Sequence, residues 1–309
     1  LGNHLLEHRS DGTLHVSWML NNTSTTSRQI FAKVISENGS TIEEPLAVTE
    51  TTARRLVADT LEFSDGNLLT VFRASTSGWQ VEGQLYNFTT GKISGVTTIN
   101  NTASGDQLDP VIRKLKTTDG TEKFVITYSS SNGDNDAWGI LAKIYSYDSG
   151  TLTVEKNEFI ANTTTSSWQR NGDGEHLVAT SDGGFAIAYH SFNEANNNNH
   201  KVLLQMFDEA GSKVGSELTV HDAGNDFTTT HSFAELPDGK LAVLYSTAPS
   251  DRSDHDLYVK TVDVSSSTVS DAIVVHTGLT GDQGTNYNGS WYHPTLNVTD
   301  DNSLIITYM

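Results

Sequence analysis

Hydrophobic and polar residues alternate along this chain in short runs, each bounded by Gly, Asp, Asn or Ser. "KVLLQMF" and "LYVKTVDV" show the period most plainly. Every second residue is of one kind, as in a strand whose two faces meet different surroundings. No long segment carries the longer period of an amphipathic helix. The pattern predicts a protein built of strands and turns.

The runs repeat. An Asp-Gly or Asp-Asn turn followed by a strand ending on an aromatic occurs six times: Asp11-Gly12 to Trp18, Asp65-Gly66 to Phe72, Asp119-Gly120 to Tyr128, Asp182-Gly183 to Tyr189, Asp238-Gly239 to Tyr245 and Asp301-Asn302 to Tyr308. The aromatic stands seven residues past its Asp in five copies and nine past it in the copy ending on Tyr128. Successive turns lie 54 to 63 residues apart. The second half of each unit, such as "VLLQMFDEAGSKVGSELTV", reads as strand, short turn, strand. Four antiparallel strands in about 55 residues, repeated in tandem, predict a β-propeller, because one such unit cannot bury its own faces. The expected fold class is therefore all-β: four-stranded antiparallel blades, five complete and the first half of a sixth. The blades run 1–53, 54–106, 107–167, 168–227 and 228–284, with 285–309 the partial sixth, in one domain over 1–309.

Composition narrows the partners. The 309 residues carry a formal net charge of −19, which would repel nucleic-acid phosphates, so no nucleic-acid partner is expected. Apolar residues make up 36% of the chain, enough for a core, and no apolar run approaches the roughly 18 residues of a membrane span. No membrane insertion is expected. The chain has no cysteine, which excludes disulfides, thiolate metal sites and cysteine nucleophiles. The opening "LGNHLLEHRS" reads as neither a signal peptide nor a natural start, and suggests a mature or excised fragment.

In a four-stranded blade the inter-blade loops and the second-to-third strand loops share one face, around the channel mouth, while the Asp-Gly turns occupy the other. Candidate chemistry is sought in those mouth loops. Histidines open the inner strand in four units, at His4, His176, His231 and His293. Trp168 and Trp291 lie in inter-blade loops, and Trp79 and Trp138 in or near second-to-third loops, where indoles offer flat faces for sugar rings. Arg54, Arg55 and Arg170 stand beside the channel in a chain with 19 basic residues, and their forks suit carboxylates and sulfates. Asp134 and Asp136 alternate in "SNGDNDAW" as Ca²⁺ ligands do, so a bound Ca²⁺ enters the expectation. The chain has no phosphate-binding glycine loop, no HExxH and no Gly-x-Ser-x-Gly elbow.

The fourth unit resembles repeats of large secreted bacterial adhesins and hemolysin-type (RTX) proteins. The matching residues are Asp182, Gly183, Gly184, Phe185, Tyr189, Phe207, Asp208, Gly211, Val214 and Gly215. The resemblance implies an extracellular or cell-surface propeller module and carries no catalytic residue with it. A second similarity, carried by "GNHLLEHRSDGTLHVSW" and "YHPTLNVTDDNSLIITY", is to propellers of carbohydrate-active enzymes. Two functions follow as expectations. The first is a glycan-binding module of an adhesin-like protein, gripping a polysaccharide or cell-surface glycan with Arg55, Trp138, Trp168, Arg170, His176, His231, Trp291, Tyr292 and His293. The alternative is a polysaccharide lyase, with His176, His231, Tyr292 or His293 as acid or base and Arg55 or Arg170 neutralising a uronate.

Overall fold

The computed structural model describes residues 4–21, 27–50, 53–75, 78–102, 104–134, 136–171, 176–193, 198–251, 254–275, 294–299, 301 and 303–308. Among them every regular element is a strand. The strands form consecutive antiparallel sheets. The first joins His4–His8, Leu14–Asn21, Arg28–Ile35 and Thr41–Ala47 in chain order. The third joins Gln107–Lys114, Glu122–Ser130, Gly139–Asp148 and Thr151–Ile160 in the same way. In the second, Arg54–Glu62, Leu68–Ser75 and Trp79–Asn87 are followed by two short pieces that both pair with the third strand. The fourth splits its first strand instead: Trp168–Arg170 and Leu177–Ala179 both pair with Phe185–Asn193, which leads to Asn198–Phe207 and Lys213–Gly224. The fifth begins with Phe227–Glu235, Leu241–Ala248 and Asp256–Asp263, and Thr295–Val298 pairs with Leu304–Thr307 in a two-stranded sheet.

The Asp-Gly turns show why that dipeptide recurs. Gly12, Gly66, Gly120, Gly183 and Gly239 all have φ between 78° and 99°, a region that costs a side-chain-bearing residue strain. The Asp before each bends its carboxylate back onto the chain: Asp11, Asp65, Asp182 and Asp238 accept the backbone N–H two residues on, at 2.9 to 3.2 Å. Glutamates of the following sheet then clasp three of these turns. The serine before the Asp donates its N–H and hydroxyl to Glu62 (from Ser10), Glu122 (from Ser64) and Glu235 (from Ser181).

The second strands of sheets two to five are buried on both faces, as in Phe185–Asn193, where the first seven positions include one that is not buried. In Leu14–Asn21 burial alternates instead, so one face is covered. Contacts divide the chain into two compact units, one of Leu1–Lys114, Gly120–Asn132 and Ala142–Glu158, the other of Leu115–Asp119, Gly133–Leu141 and Phe159–Met309. In unit 1, Ile30, Ala32, Leu68, Phe72, Ala74 and Tyr86 pack between the first two sheets, and Phe63 stacks on Tyr147 at 3.7 Å. In unit 2, Ala186, Val202, Leu204, Phe233, Leu241 and Tyr245 fill the space between sheets four and five. The repeated aromatics Phe72, Tyr128, Tyr189 and Tyr245 are all buried, each contributing roughly 2–3 kcal/mol of apolar burial. Trp18, in the same position of the first sheet, is half-buried and stacks on Phe31.

Candidate functional site

Unit 2 gathers aromatic rings at the ends of its strands. The hairpin leading to Gly139–Asp148 is tied down by Asp134, whose buried carboxylate accepts a hydrogen bond from Asn162 Nδ2 at 2.8 Å. Gly139 is needed there, because a Cβ would sit 2.7 Å from the Asp134 side chain. Asp136 accepts from Ser167 N at 2.7 Å, and Gln169 N donates to Trp138 O at 2.8 Å. These bonds seat Trp138 against Trp168–Arg170. Arg170 lies with its guanidinium carbon 4.6 Å from the centre of the Trp138 ring, and the Trp138 and Trp168 centroids are 6.1 Å apart.

Pairing across strands extends the group. Trp168 lies opposite Phe192 and Arg170 opposite His190, so all four side chains project from one face of the fourth sheet. The rings continue from Trp168 through Phe192, His200 and Phe227 to His255, with successive centroids 5.5, 5.2, 5.3 and 5.5 Å apart. His190 stacks on Phe192 at 4.9 Å. His200 and His255 are buried, while Trp138, Trp168, Arg170, His190 and Phe192 remain half-buried and keep part of their surface in water. The result is an apolar strip whose rings meet mostly edge to face, with the Arg170 guanidinium at its half-buried end and the His190 ring beside it, both ring nitrogens covered.

No protein-family model and no curated protein sequence matches the chain. Solved structures do. A polysaccharide lyase of family 25, an ulvan lyase bound to -[GlcA(1-4)Rha3S]-, superposes with a TM-score of 0.56 at 10% identity, covering 84% of this chain and 66% of that one. A protein of unknown function from Dyadobacter fermentans gives 0.55 at 12% identity over 86% and 78%. The α-L-arabinanase of Penicillium chrysogenum complexed with arabinobiose gives 0.51 at 14% over 82% and 75%. The likeness is one of fold, the β-propeller fold of carbohydrate-active enzymes, and the chain spans about two thirds of the lyase's length. The adhesin resemblance of the fourth unit finds no support in these comparisons.

The candidates named from sequence fall in several places. Trp138, Trp168 and Arg170 come together as above. His176 is buried, 1% exposed, with its carbonyl accepting Ala188 N. His231 is also buried, and its Nε2 lies 2.8 Å from Ser246 Oγ of its own sheet. Arg55 points away from Arg54 into the second sheet, where Nη1 donates to Glu50 O at 2.5 Å, Nη2 lies 3.6 Å from Glu82, and the guanidinium covers Phe72. Trp291, Tyr292 and His293 lie outside the described residues, as does the side chain of His4. Asp134 and Asp136 are engaged in the loop bonds given above, and among the described residues no three His, Asp or Glu side chains gather as a metal site.

His190, Phe192, His200, Phe227 and His255 were missed. His190 and Phe192 had a signal: in "AYHSF" Tyr189 faces the core, so alternation turns its neighbours His190 and Phe192 to one common face. His200 and His255 had none, because each follows a polar loop whose length hides the register.

Unit 1 holds a second titratable cluster. Asp59 accepts hydrogen bonds from Ile112 N at 3.0 Å, Thr60 N at 2.9 Å and Arg113 Nη1 at 2.5 Å. Glu7 hydrogen-bonds the same carboxylate, and burial followed by the Asp59 charge pushes its carboxyl up to about 9. Burial, followed by the charge of Arg9, pushes His15 down to about 4. Its Nδ1 lies 3.9 Å from Glu7, but with the imidazole and Glu7 both neutral near pH 7 this contact is not an ion pair. His15 Nε2 meets Tyr86 Oη at 2.8 Å, which continues to Thr70 and Thr60.

Proposed function

We propose that the chain is a carbohydrate-active β-propeller module that takes an acidic polysaccharide and cleaves it by β-elimination at the strip in unit 2. Arg170 carries this reading: a guanidinium packed on Trp138 and held opposite His190, in a chain of net charge −19. A cation kept at a sugar-stacking surface suits a uronate, whose carboxylate must be neutralised before the C5 proton becomes acidic. The uronate ring lies on Trp138 and Trp168, and its carboxylate meets Arg170. Both nitrogens of His190 are covered in the unbound chain, so the ring turns off Phe192 as the sugar binds. It then takes the C5 proton, the C4–oxygen bond breaks as the C4=C5 double bond forms, and the imidazolium returns its proton to the leaving oxygen. The glucuronate-containing ligand of the ulvan lyase, a protein of like fold, supports the substrate class. Closure of the sheets into one ring, with five complete blades and a partial sixth, belongs to this reading, as does action outside the cell on a polymer.

A non-catalytic glycan-binding module of a secreted adhesin is the second reading, favoured by Asp182 to Gly215 of the fourth unit. The test is incubation with uronate polysaccharides while following the ultraviolet absorbance of an unsaturated product. A rise that is lost in Arg170→Ala and His190→Ala supports elimination. A flat trace with glycan binding lost in Trp168→Ala replaces it with the binding module.

A further inference from the structure

Unit 1 has its own arginine–tryptophan cluster, built from other residues. Trp79 opens the third strand of the second sheet, and its N–H donates to Asp106 at 3.1 Å. The guanidinium carbons of Arg54 and Arg73 each lie 5.1 Å from the centre of its ring. Arg54 pairs with Ser75 and Ser75 with Trp79, which puts all of them on one face of the sheet, opposite Arg55. Arg28 joins from the first sheet: its N–H donates to Ala53 O at 2.9 Å, beside Arg54. Burial, then the fields of Arg54 and Arg73, push the Arg28 guanidinium below its ordinary value.

Among the described residues, one carboxylate pairs with these three cations, Asp109, at 3.2 Å from Arg73. A chain with 38 acidic and 19 basic residues has carboxylates to spare, yet three arginines crowd here against Asp109 and against Asp106, whose Oδ1 accepts the Trp79 N–H. Like charges so placed repel one another unless an anion joins them. Both guanidinium groups use the indole, so the free chemistry is their outward donors rather than a stacking face. The geometry points to an oxyanion site in which Arg28, Arg54 and Arg73 hold the sulfate ester or carboxylate groups of an anionic saccharide. The oxyanion chemistry stands on this cluster alone; the saccharide rests on the carbohydrate reading above.

The test is a binding titration of the whole chain with dextran sulfate, polygalacturonate and neutral dextran. Dextran sulfate, polygalacturonate or both bind more tightly than neutral dextran, and the tighter of the two names the oxyanion. Arg54→Glu, at an exposed position that leaves the core untouched, weakens binding about tenfold or more and lowers its salt dependence. The same loss on Arg54→Glu appears in an Arg170→Ala background, where the strip of unit 2 has lost its cation. If polysaccharide cleavage fails but this binding persists, only the lyase reading falls. The oxyanion site falls if neutral dextran binds equally, if neither polyanion binds, or if Arg54→Glu binds as tightly as the wild type.

Discussion

Trp79 and Trp138 stand at the entry of the third strand in the second and third sheets, and each carries an arginine on its ring. What surrounds them differs. Trp79 has a guanidinium from each of two neighbouring strands and is used as a spacer between cations. Trp138 has one, and its further neighbour is another indole, followed by a strip of rings. The same repeat position therefore supports two chemistries: charge concentrated without a platform, and a platform with one charge. The scaffold decides where a side chain emerges. The residues beside it decide what it does.

Substitutions separate the two. The largest expected effect is in unit 2: at saturating substrate Arg170→Ala lowers the rate of unsaturated-product formation by about 100-fold, as loss of a transition-state donor does elsewhere, while Arg54→Ala raises the substrate concentration needed and leaves the saturated rate unchanged. Equal losses would erase the distinction. The second concerns the polar network of unit 1. Folded Glu7 keeps a proton that the unfolded chain loses above its ordinary 4.5, so the native state binds more protons and stability falls as pH rises towards about 9. His15 acts oppositely between about 4 and 6.5, where the unfolded chain binds the extra proton and stability rises with pH. Glu7→Gln keeps a donor to Asp59 without the charge, so it stabilises the chain by about 2 kcal/mol at pH 8 and flattens the alkaline limb of urea unfolding. Arg170→Ala leaves that limb as steep as in the wild type.

Smaller effects sharpen the comparison further. Trp138→Ala weakens binding of a neutral oligosaccharide about fivefold in calorimetry, whereas Trp79→Ala leaves it unchanged. Glu235→Ala, which releases the Ser181 turn, lowers the urea midpoint by an amount worth about 1 kcal/mol and leaves product formation intact.

The scaffold was largely legible in sequence because it rests on local rules. An Asp that accepts the N–H two residues on, and a Gly at positive φ, are demanded by the turn itself, so they recur wherever the turn does. The fourth sheet's split first strand was not foreseen, although "NGDG" stands between its two pieces, because both pieces pair with one strand and the repeat spacing does not register the break. The site was legible only in part. Trp138, Trp168 and Arg170 stood out as rare residues in polar loops, and they do meet. Arg55 looked equivalent to Arg54, but a strand sends neighbours to opposite faces, and Arg55 spends its donors on Glu50 and Glu82. The clasping glutamates Glu62, Glu122 and Glu235 went unread because their partners lie more than fifty residues away.

One feature of the loops reaches beyond this chain's present chemistry. Asn100 accepts Val81 N and donates to Thr102 O, both at 2.8 Å; Asn162 does the same with Ile140 N and Thr164 O, also at 2.8 Å. Seven residues on, Gln107 and Gln169 close the two loops by donating to Ser104 O and Ser166 O. Inside this common clamp one loop presents Asp106 and the other Trp168. The clamp works as a cassette holder: its asparagine and glutamine hold the loop by bonds to main-chain atoms, which leaves the residue before the glutamine open to exchange. A lineage of such proteins can trade a charge for an indole there by a few base changes, altering what is recognised while the frame stays as it was.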